Sequence, residues 1–423
     1  MQTTLFTNVR VFDGTGAQPY AGEVLVQGNR IVEIARHDGT ISRDAHRHVN
    51  GCGATLMPGL IDAHLHLSWN NQPTLAAIQQ MPPEEHVLFA ADMAKLVLDA
   101  GFTAGFGAAA AKPRLDVVIR NAINAGQIPG PRYRAAGQEI ATPGGLGDTA
   151  PPHIEHEGLN FGTIVSGPEE VRRAVRRYIK YGVDNIKLNL SGEEITGVGA
   201  EVTPMARDEI AMAVSEARMH GKTLCAHARS SKSVKLCVEF GIEGIFHASY
   251  ADEEALDMLE AVKDQHFVAP GLAWLLTTAR EAGAYGIAPG SPLSLQYERE
   301  LEIAVDSMKK MHKRGIRVLP GGDYGFAWQP HGTNARDLEI FVNLLGFTPM
   351  ETLVAATKLG GQIMGMGNEL GMIQEGYLAD LLLVDGDPLA DVTILQDRNR
   401  LLAIMKDGLF HKAPEALATR ERA

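Results

Sequence analysis

The stretch MPGLIDAHLHL, residues 57–67, places two histidines one residue apart inside an otherwise apolar run. Side chains on a β-strand alternate in direction, so His64 and His66 extend from the same face of such a strand. Two imidazoles on one face can chelate a single ion, and zinc or another first-row divalent metal accepts such ligands. A lone histidine at a strand end is more often a hydrogen-bonded structural residue, so other residues of the chain must distinguish a structural role from metal binding.

The composition is that of a globular protein. The 423 residues are 45% hydrophobic and 21% charged, and no apolar run reaches the length of about 18 residues that a membrane span needs. A net charge of -12 argues against a nucleic-acid or anionic-membrane partner. The N-terminus lacks the pattern of a secretory signal, so we expect a cytoplasmic protein. Three cysteines, Cys52, Cys225 and Cys237, have no CxxC spacing and predict free thiols.

The two chain ends share a pattern of short β-rich runs joined by turns. Near the N-terminus these runs are TLFTNVRVF, GEVLVQ and RIVEIAR, and near the C-terminus they are EGYLADLLLVDGDP and LLAIMKDGLFHK. We therefore expect residues 1–56 and 371–423 to form one small composite β-sandwich.

Between the ends, apolar strands alternate with amphipathic helices, which is typical of βα units and a parallel sheet. The candidate strands are GLIDAHLHL (59–67), FTAGFGA (102–108), RYRAAG (132–137), DNIKLNL (184–190), TLCAHA (223–228), GIFHAS (244–249), HFVAPGL (266–272) and IRVLPGGD (316–323). Eight such units predict an α/β fold of the (β/α)8 TIM-like barrel type over residues 57–370.

Polar side chains gather at the ends of these strands, where a barrel keeps its functional residues. In chain order they are His64, His66, Lys187, His227, His247 and Asp323. The set predicts a binuclear metal centre. We expect one ion on His64, His66, Lys187 and Asp323 and the other on Lys187, His227 and His247, with zinc first and cobalt, manganese or iron as alternatives.

Lys187 needs a chemical reason, because an ammonium group among histidines and metal ions would be both repelled and desolvated. A neutral lysine amine can add carbon dioxide, and the resulting carbamate is an anionic ligand that can bridge two ions. Asp323, preceded by LPGG, is placed to take a proton from the attacking water and pass it to the leaving group. The reaction class is metal-assisted hydrolysis.

Nearly the whole chain resembles the amidohydrolase superfamily. The resemblance rests on VRVFDGTG near the start, PGLIDAHLHL, VDNIKLNLSG with Lys187, the His227 and His247 pair, LPGGD with Asp323, and the closing GMIQEGYLADLLLVDGDP. It implies the sandwich and barrel, the binuclear centre and the residue roles given above.

The chain is most similar to the imidazolonepropionase-like, Xaa-Pro dipeptidase-like and pesticide-degrading branches of that superfamily. The resemblance implies cleavage of an amide, carbamate or urea C–N bond in a small organic molecule by metal-activated water, and a homo-oligomeric assembly. Dipeptidase-like members commonly carry GGHGD after strand 3, whereas this chain has GGLGD with Leu146. The loss of that histidine disfavours simple peptidase activity and favours a more apolar substrate.

Other side chains near the strand ends are candidate substrate contacts. Arg229 could pair with a substrate carboxylate or lie exposed at a helix start, Tyr250 could stabilise an oxyanion, and His331 could contact substrate or order its loop. Trp69 could form an aromatic wall. The segment 273–292 is either a lid or a plain surface excursion.

Three alternatives to this function stay open. A dipeptidase or carboxypeptidase has the same chemistry on another substrate. A deaminase of the same fold usually lacks the strand 4 lysine. A non-catalytic binding protein would be expected to lose ligands, and none is missing.

Overall fold

The computed structural model describes residues 2–154 and 157–414. Its strands are, in chain order, β1 (Thr3–Val11), β2 (Tyr20–Gln27), β3 (Arg30–Arg36), β4 (Arg47–Asn50), β5 (Thr55–Pro58), β6 (Leu60–Leu65), β7 (Phe102–Gly107), β8 (Arg132–Arg134), β9 (Ile140–Ala141), β10 (Thr163–Ile164), β11 (Asn185–Asn189), β12 (Thr223–Ser230), β13 (Gly244–Tyr250), β14 (Phe267–Ala269), β15 (Leu381–Val384), β16 (Leu401–Lys406) and β17 (Leu409–Lys412).

The helices lie mainly between the strands of the central region. They are α1 (Leu75–Gln79), α2 (Pro83–Asp99), α3 (Leu115–Asn124), α4 (Pro168–Tyr181), α5 (Arg207–Met219), α6 (Ser231–Phe240), α7 (Glu253–Ala261), α8 (Leu272–Arg280), α9 (Pro292–Lys313), α10 (Arg336–Ile340), α11 (Pro349–Val354) and α12 (Gly360–Ile363). Among the described residues, no helix combines the length and the apolar character that crossing a bilayer requires.

Both chain ends contribute to one mixed eight-stranded sheet. Its order is β17-β16-β15-β5-β1-β2-β3, with β4 paired to β1, and β15 runs antiparallel to β5. The sheet has its own core, which includes Phe6, Val24, Leu56 and Leu383. The described strands of the N- and C-terminal runs therefore lie in one sheet. Residues 415–423 of the predicted module lie outside them.

The central region consists of parallel strands that alternate with helices. β6, β7 and β8 form one parallel sheet, and β10-β9-β11-β12-β13-β14 form another. Seven of the eight predicted strands are present. The predicted eighth forms a single bridge, between Val318 and Val268, because Pro320 lacks an N–H and two glycines follow it.

Backbone contacts connect the edges of the two parallel sheets. Ala136 after β8 bridges Asn185 at the start of β11. At the other edge, the Leu319 N–H donates to the Val268 carbonyl at 2.9 Å, and the Ala63 N–H donates to the Pro320 carbonyl at 3.1 Å. These contacts bring the first and last predicted strands together and carry the strand-end side chains to one place.

Two smaller predictions also have outcomes. The described structure holds Cys52, Cys225 and Cys237 as free thiols, as expected. The segment 273–292 begins in α8, whose residues from Leu272 to Ala279 are mostly buried. The interpretation of 273–292 as a plain surface excursion is therefore wrong for its first half.

Candidate metal centre

The two histidines of the opening stretch lie at the end of β6, a strand that is buried along its whole length. The ring centroids of His64 and His66 are 5.1 Å apart, and each side chain is 1% exposed. His64 stacks on Phe246, and His66 stacks on Trp69 with a centroid separation of 3.4 Å. Packing on aromatic rings thus holds both imidazoles in place.

The register of the neighbouring strands places the other predicted ligands beside them. His227 on β12 pairs with Asn189 of β11, and His247 on β13 pairs with Ala228. The rings of His247 and His227 are 4.4 Å apart, and His247 lies 5.1 Å from His64. Lys187 on β11 is 2% exposed, with its Nζ 4.7 Å from the centre of the Phe246 ring.

Asp323 completes the group from the eighth strand position. Its Oδ1 lies 3.1 Å from His66 Nε2 and 3.6 Å from His64 Nε2, and its Oδ2 lies 3.9 Å from His247 Nε2. His64, His247 and Asp323 each offer one ligand atom within 4.8 Å of the others, so the described structure contains a cluster that fits a metal ion. All six predicted ligands line one cavity.

The backbone is unusual at two of these ligands and at the residue that follows one of them. His247, Ala248 and Asp323 have φ values of 76°, 51° and 64°, which non-glycine residues adopt rarely. Such local strain is retained where the surrounding structure requires a particular side-chain direction. Gly321 permits the close approach of this segment to β6, since a Cβ there would lie 2.8 Å from the His64 backbone nitrogen.

Hydrogen bonds on the far ring nitrogens select the tautomer that binds metal. The His66 Nδ1–H donates to the Ala109 carbonyl at 2.9 Å, and the His227 Nε2–H donates to the Gly192 carbonyl at 2.9 Å. His66 Nε2 is then an acceptor that faces the acceptor Asp323 Oδ1 at 3.1 Å. A cation between them would relieve this repulsion, and a carbonyl partner on the far nitrogen is the usual arrangement around a ligand histidine.

Burial sets the protonation of the site. It holds the pKa of His64, His227 and His247 well below the ordinary value, so these imidazoles are neutral at pH 7, the form that binds metal. Burial alone would raise the pKa of Asp323, but the charged and polar groups around it outweigh burial and hold the pKa below its usual range. The aspartate is therefore an anion.

Several buried ligand atoms have no hydrogen-bond partner among the described residues. They are His64 Nδ1, His66 Nε2, His247 Nδ1 and Asp323 Oδ1. Buried polar atoms are normally paired, and unpaired atoms on residues that line one cavity are what an ion or a bound ligand would satisfy. The residues present therefore fit a divalent metal centre.

The outer wall of the cavity is mostly apolar. It includes Trp69, Leu146, Phe161, Ile195, Trp274 and Phe326. The structure thus places Trp69 and Leu146, two of the predicted substrate contacts, at the cavity.

The other three predicted substrate contacts are not among the described side chains that line this cavity. Arg229 is fully buried and pairs with Glu193 and Glu300, so its interpretation as an exposed helix-start arginine is wrong. Tyr250 is half-buried at the end of β13. The His331 Nε2–H donates to the His66 carbonyl at 3.0 Å, which supports the loop-ordering alternative for this residue.

Sequence reasoning missed two carboxyl groups that line the cavity, Glu139 and Glu193. Glu139 follows the third predicted strand in GQEI, and Glu193 follows the fourth in SGEEI. Their position after a predicted strand is the sequence feature that could have identified them as candidate site residues. It also missed Asp62, whose carboxylate accepts from the His64 N–H at 2.9 Å and from Asn334 at 2.9 Å.

Comparison with known proteins agrees with the metal centre described above. The model of the amidohydrolase family matches residues 55–410. The chain belongs to the amidohydrolase family. Members use divalent metal ions, and this amidohydrolase is a metal-dependent hydrolase of C–N bonds. The non-catalytic alternative is set aside.

Individual relatives cover almost the entire amidohydrolase. An ochratoxinase of Aspergillus niger is 25% identical over 427 residues, which span 94% of this chain and 84% of that protein. The structure of a Xaa-Pro dipeptidase with bound methionine in the active site matches with a TM-score of 0.86 at 26% identity, over 97% of this chain and 100% of that one. A prolidase complexed with N-methylphosphonate-L-proline matches with a TM-score of 0.87 at 26% identity and the same coverage. The fold is accordingly TIM-barrel-like.

Proposed function

We propose that this amidohydrolase cleaves an amide, carbamate or urea C–N bond in a small and largely apolar substrate. The observation that carries the proposal is the combination of metal-binding side chains at the base of the cavity with a wall of Trp69, Leu146, Phe161 and neighbouring apolar residues. A mostly apolar wall with a few convergent polar groups is the usual form of a small-molecule site.

We propose a binuclear centre in which His64, His66, carbamylated Lys187 and Asp323 hold one ion and Lys187, His227 and His247 hold the other, with zinc as the first candidate. Lys187 supports a carbamate because it is buried and has no ion pair within residues 2–154 and 157–414. When bound, the ions would lower the pKa of water and polarise the carbonyl of the scissile bond.

Side chains of the protein move the proton, position the imidazoles and exclude water. Asp323, anionic and close to both β6 histidines, accepts a proton from the attacking water and delivers it to the leaving nitrogen. Asp62 and His331 bond the backbone of His64 and His66 respectively, so they fix the position of the two imidazoles. The apolar wall excludes water around the reacting bond.

The architecture that supports this site is also part of the proposal. Residues 57–370 would form a closed (β/α)8 barrel, since backbone contacts join the first and last strand positions through Ala63 and Pro320. Residues 1–56 and 371–423 would form a separate β-sandwich, which the distinct core of the terminal sheet supports. A homo-oligomer stays a prediction, and sedimentation analysis would test it.

The second candidate is a dipeptidase or carboxypeptidase, favoured by the similarity to the Xaa-Pro dipeptidase and prolidase structures. Leu146 disfavours it, since it presents an apolar side chain to the cavity. The test is a panel of N-acyl amino acids, dipeptides, anilides, carbamates and phenylureas with the metal-loaded protein. We expect activity on the non-peptide amides, carbamates or ureas of the panel. Activity confined to dipeptides would favour the peptidase, and inactivity on the whole panel would contradict both.

A further inference from the structure

Glu139 is a buried carboxyl group on the wall of the cavity, outside the set of proposed metal ligands. It lies between β8 and β9 and is 4% exposed. Its backbone is held in place, because its carbonyl accepts from the Thr163 N–H at 2.8 Å. The carboxyl group therefore has a defined position beside the substrate space.

One oxygen of this carboxyl group, Oε1, has no hydrogen-bond partner among the described residues. Gly147 packs against it so closely that an added Cβ would lie 2.9 Å from Oε1, so that loop has no room for a side chain that could pair with it. A buried acceptor without a donor is costly, and a bound molecule with an N–H group would supply the missing partner.

Glu139 is the acidic group of the wall that has neither a counter-charge nor a place among the proposed metal ligands. Among the described lining residues the other acidic ones are Asp323, a proposed metal ligand, and Glu193, which pairs with the Arg229 guanidinium. The only lysine or arginine that lines the cavity is Lys187, also a proposed metal ligand. A positively charged group of the substrate would therefore find its counter-charge at Glu139.

Aromatic rings lie on the same wall. Trp69 contacts Phe161 with ring centroids 5.4 Å apart and Phe326 with centroids 5.5 Å apart. The faces of such rings attract a cation, and their bodies accept the apolar part of the same molecule. A protonated amine on an aromatic or aliphatic body therefore matches the wall in charge and in shape.

We propose that Glu139 determines specificity by binding a protonated amine of the substrate, and that the substrate class is amides with a free amino group close to the scissile bond. This inference rests on the proposed hydrolysis of a C–N bond and names the substrate that the cavity selects. Glu139 accepts the ammonium hydrogen bond while the carbonyl lies over the metal-binding residues.

The competing role for Glu139 is structural, since its charge also acts on the buried Lys187. A structural role affects all substrates alike. A role in recognition affects only substrates that carry the amine, so the decisive readout is the ratio between two substrates that differ in that group alone.

The experiment compares phenylalanine 4-nitroanilide with 3-phenylpropionic acid 4-nitroanilide, which lacks only the amino group. Wild-type protein should prefer the amine substrate in kcat/KM by about 10-fold or more. Glu139→Gln keeps the shape of the side chain and should lower kcat/KM for the amine substrate by about 10- to 100-fold, leaving the other substrate unchanged. Glu302→Gln on α9, which removes one exposed charge, is the control and should change neither.

A wild-type ratio near unity overturns the proposal without any variant, and so does an equal loss on both substrates in Glu139→Gln. Binding separates this inference from the proposed function. If neither anilide is hydrolysed, the failure concerns the reaction, and calorimetry with phenylalaninamide and 3-phenylpropionamide decides about Glu139. Tighter binding of phenylalaninamide by about 10-fold supports the proposal, and equal binding of the two overturns it.

Discussion

Two groups of buried charged residues lie side by side near the ends of the parallel strands, and they differ in whether an arginine neutralises their carboxylates. The metal-centre group, His64, His247 and Asp323, converges on the cavity with several ligand atoms unpaired. The charge cluster, Glu193, Arg229 and Glu300, joins its carboxylates through one guanidinium.

Neighbouring side chains also donate hydrogen bonds to the carboxylates of the charge cluster. Tyr297 donates to Glu193 Oε1 at 2.5 Å, and Ser249 donates to Glu300 Oε1 at 2.7 Å. Both groups contain a carboxylate at or just after the end of a predicted strand, Asp323 in one and Glu193 in the other, so that position does not tell them apart. Ion pairing does: Arg229 joins Glu193 to Glu300, whereas no lysine or arginine of the described structure forms an ion pair with Asp323.

The largest effect is expected in the metal-centre group, from Asp323→Asn. The amide keeps the size of the side chain and cannot take a proton, so kcat/KM should fall by at least about 100-fold. The thermal midpoint should change little, as circular dichroism would show. Asp306→Asn on the exposed face of α9 is the control. Retained activity would remove Asp323 from the proton-transfer role.

In the charge cluster, the loss of Arg229 should reduce stability, whereas the loss of Asp323 should reduce activity. Arg229→Met leaves two buried carboxylates without a counter-charge and should lower the free energy of unfolding by about 3–5 kcal/mol. Arg314→Met removes an arginine that pairs with exposed acids, so it should lower the free energy of unfolding far less. Denaturant titration measures both. Equal losses in the free energy of unfolding would show that the buried cluster stabilises the fold no more than the exposed ion pairs do.

Acid should weaken the region that supports the metal centre through His331. Burial lowers the pKa of His331 to about 4, so the folded protein binds fewer protons than the unfolded chain between that value and 6.5. The stabilising contribution is complete above pH 6.5 and is lost as the pH falls toward 4, with a magnitude of up to about 3 kcal/mol.

His331→Gln keeps an N–H donor and does not titrate, so it should flatten the dependence of stability on pH in chelator-treated protein. The exposed His48 provides the control variant, His48→Gln, whose pH dependence should match the wild type. An unchanged slope in His331→Gln would assign the acid sensitivity to other groups.

The smallest effect is expected at the apolar wall, from Leu146→His. An imidazole there could donate to a substrate carboxylate, so the ratio of dipeptide to anilide hydrolysis should rise, by up to about 10-fold. Leu146→Met, which keeps the wall apolar, should leave the ratio as it is. A ratio that is insensitive to both changes would show that Leu146 does not distinguish peptide from non-peptide substrates.

Much of the metal-centre group could be predicted from the sequence because its order follows strand periodicity. HLH places two rings on one face, and each later ligand ends a recognisable apolar strand. The predicted strand 316–323 was harder, since Pro320, Gly321 and Gly322 prevent a regular ladder while they carry Asp323 to the cavity.

The charge cluster could not be predicted, because its members are far apart in the chain. Arg229 meets Glu300 across 71 positions and Glu193 across 36, and no local pattern links them. For the same reason the bond from His331 to His66, across 265 positions, decides a role that the sequence left open. Long-range pairing is a property of the folded core and not of any single segment.

The most direct test of the central claim is metal analysis of the purified protein combined with a crystal structure of the metal-loaded form. The account predicts close to two equivalents of a divalent ion, bound by His64, His66, Lys187, His227, His247 and Asp323, with carbamate density on Lys187. One equivalent with an unmodified lysine amine, or an ion bound away from these side chains, would contradict it.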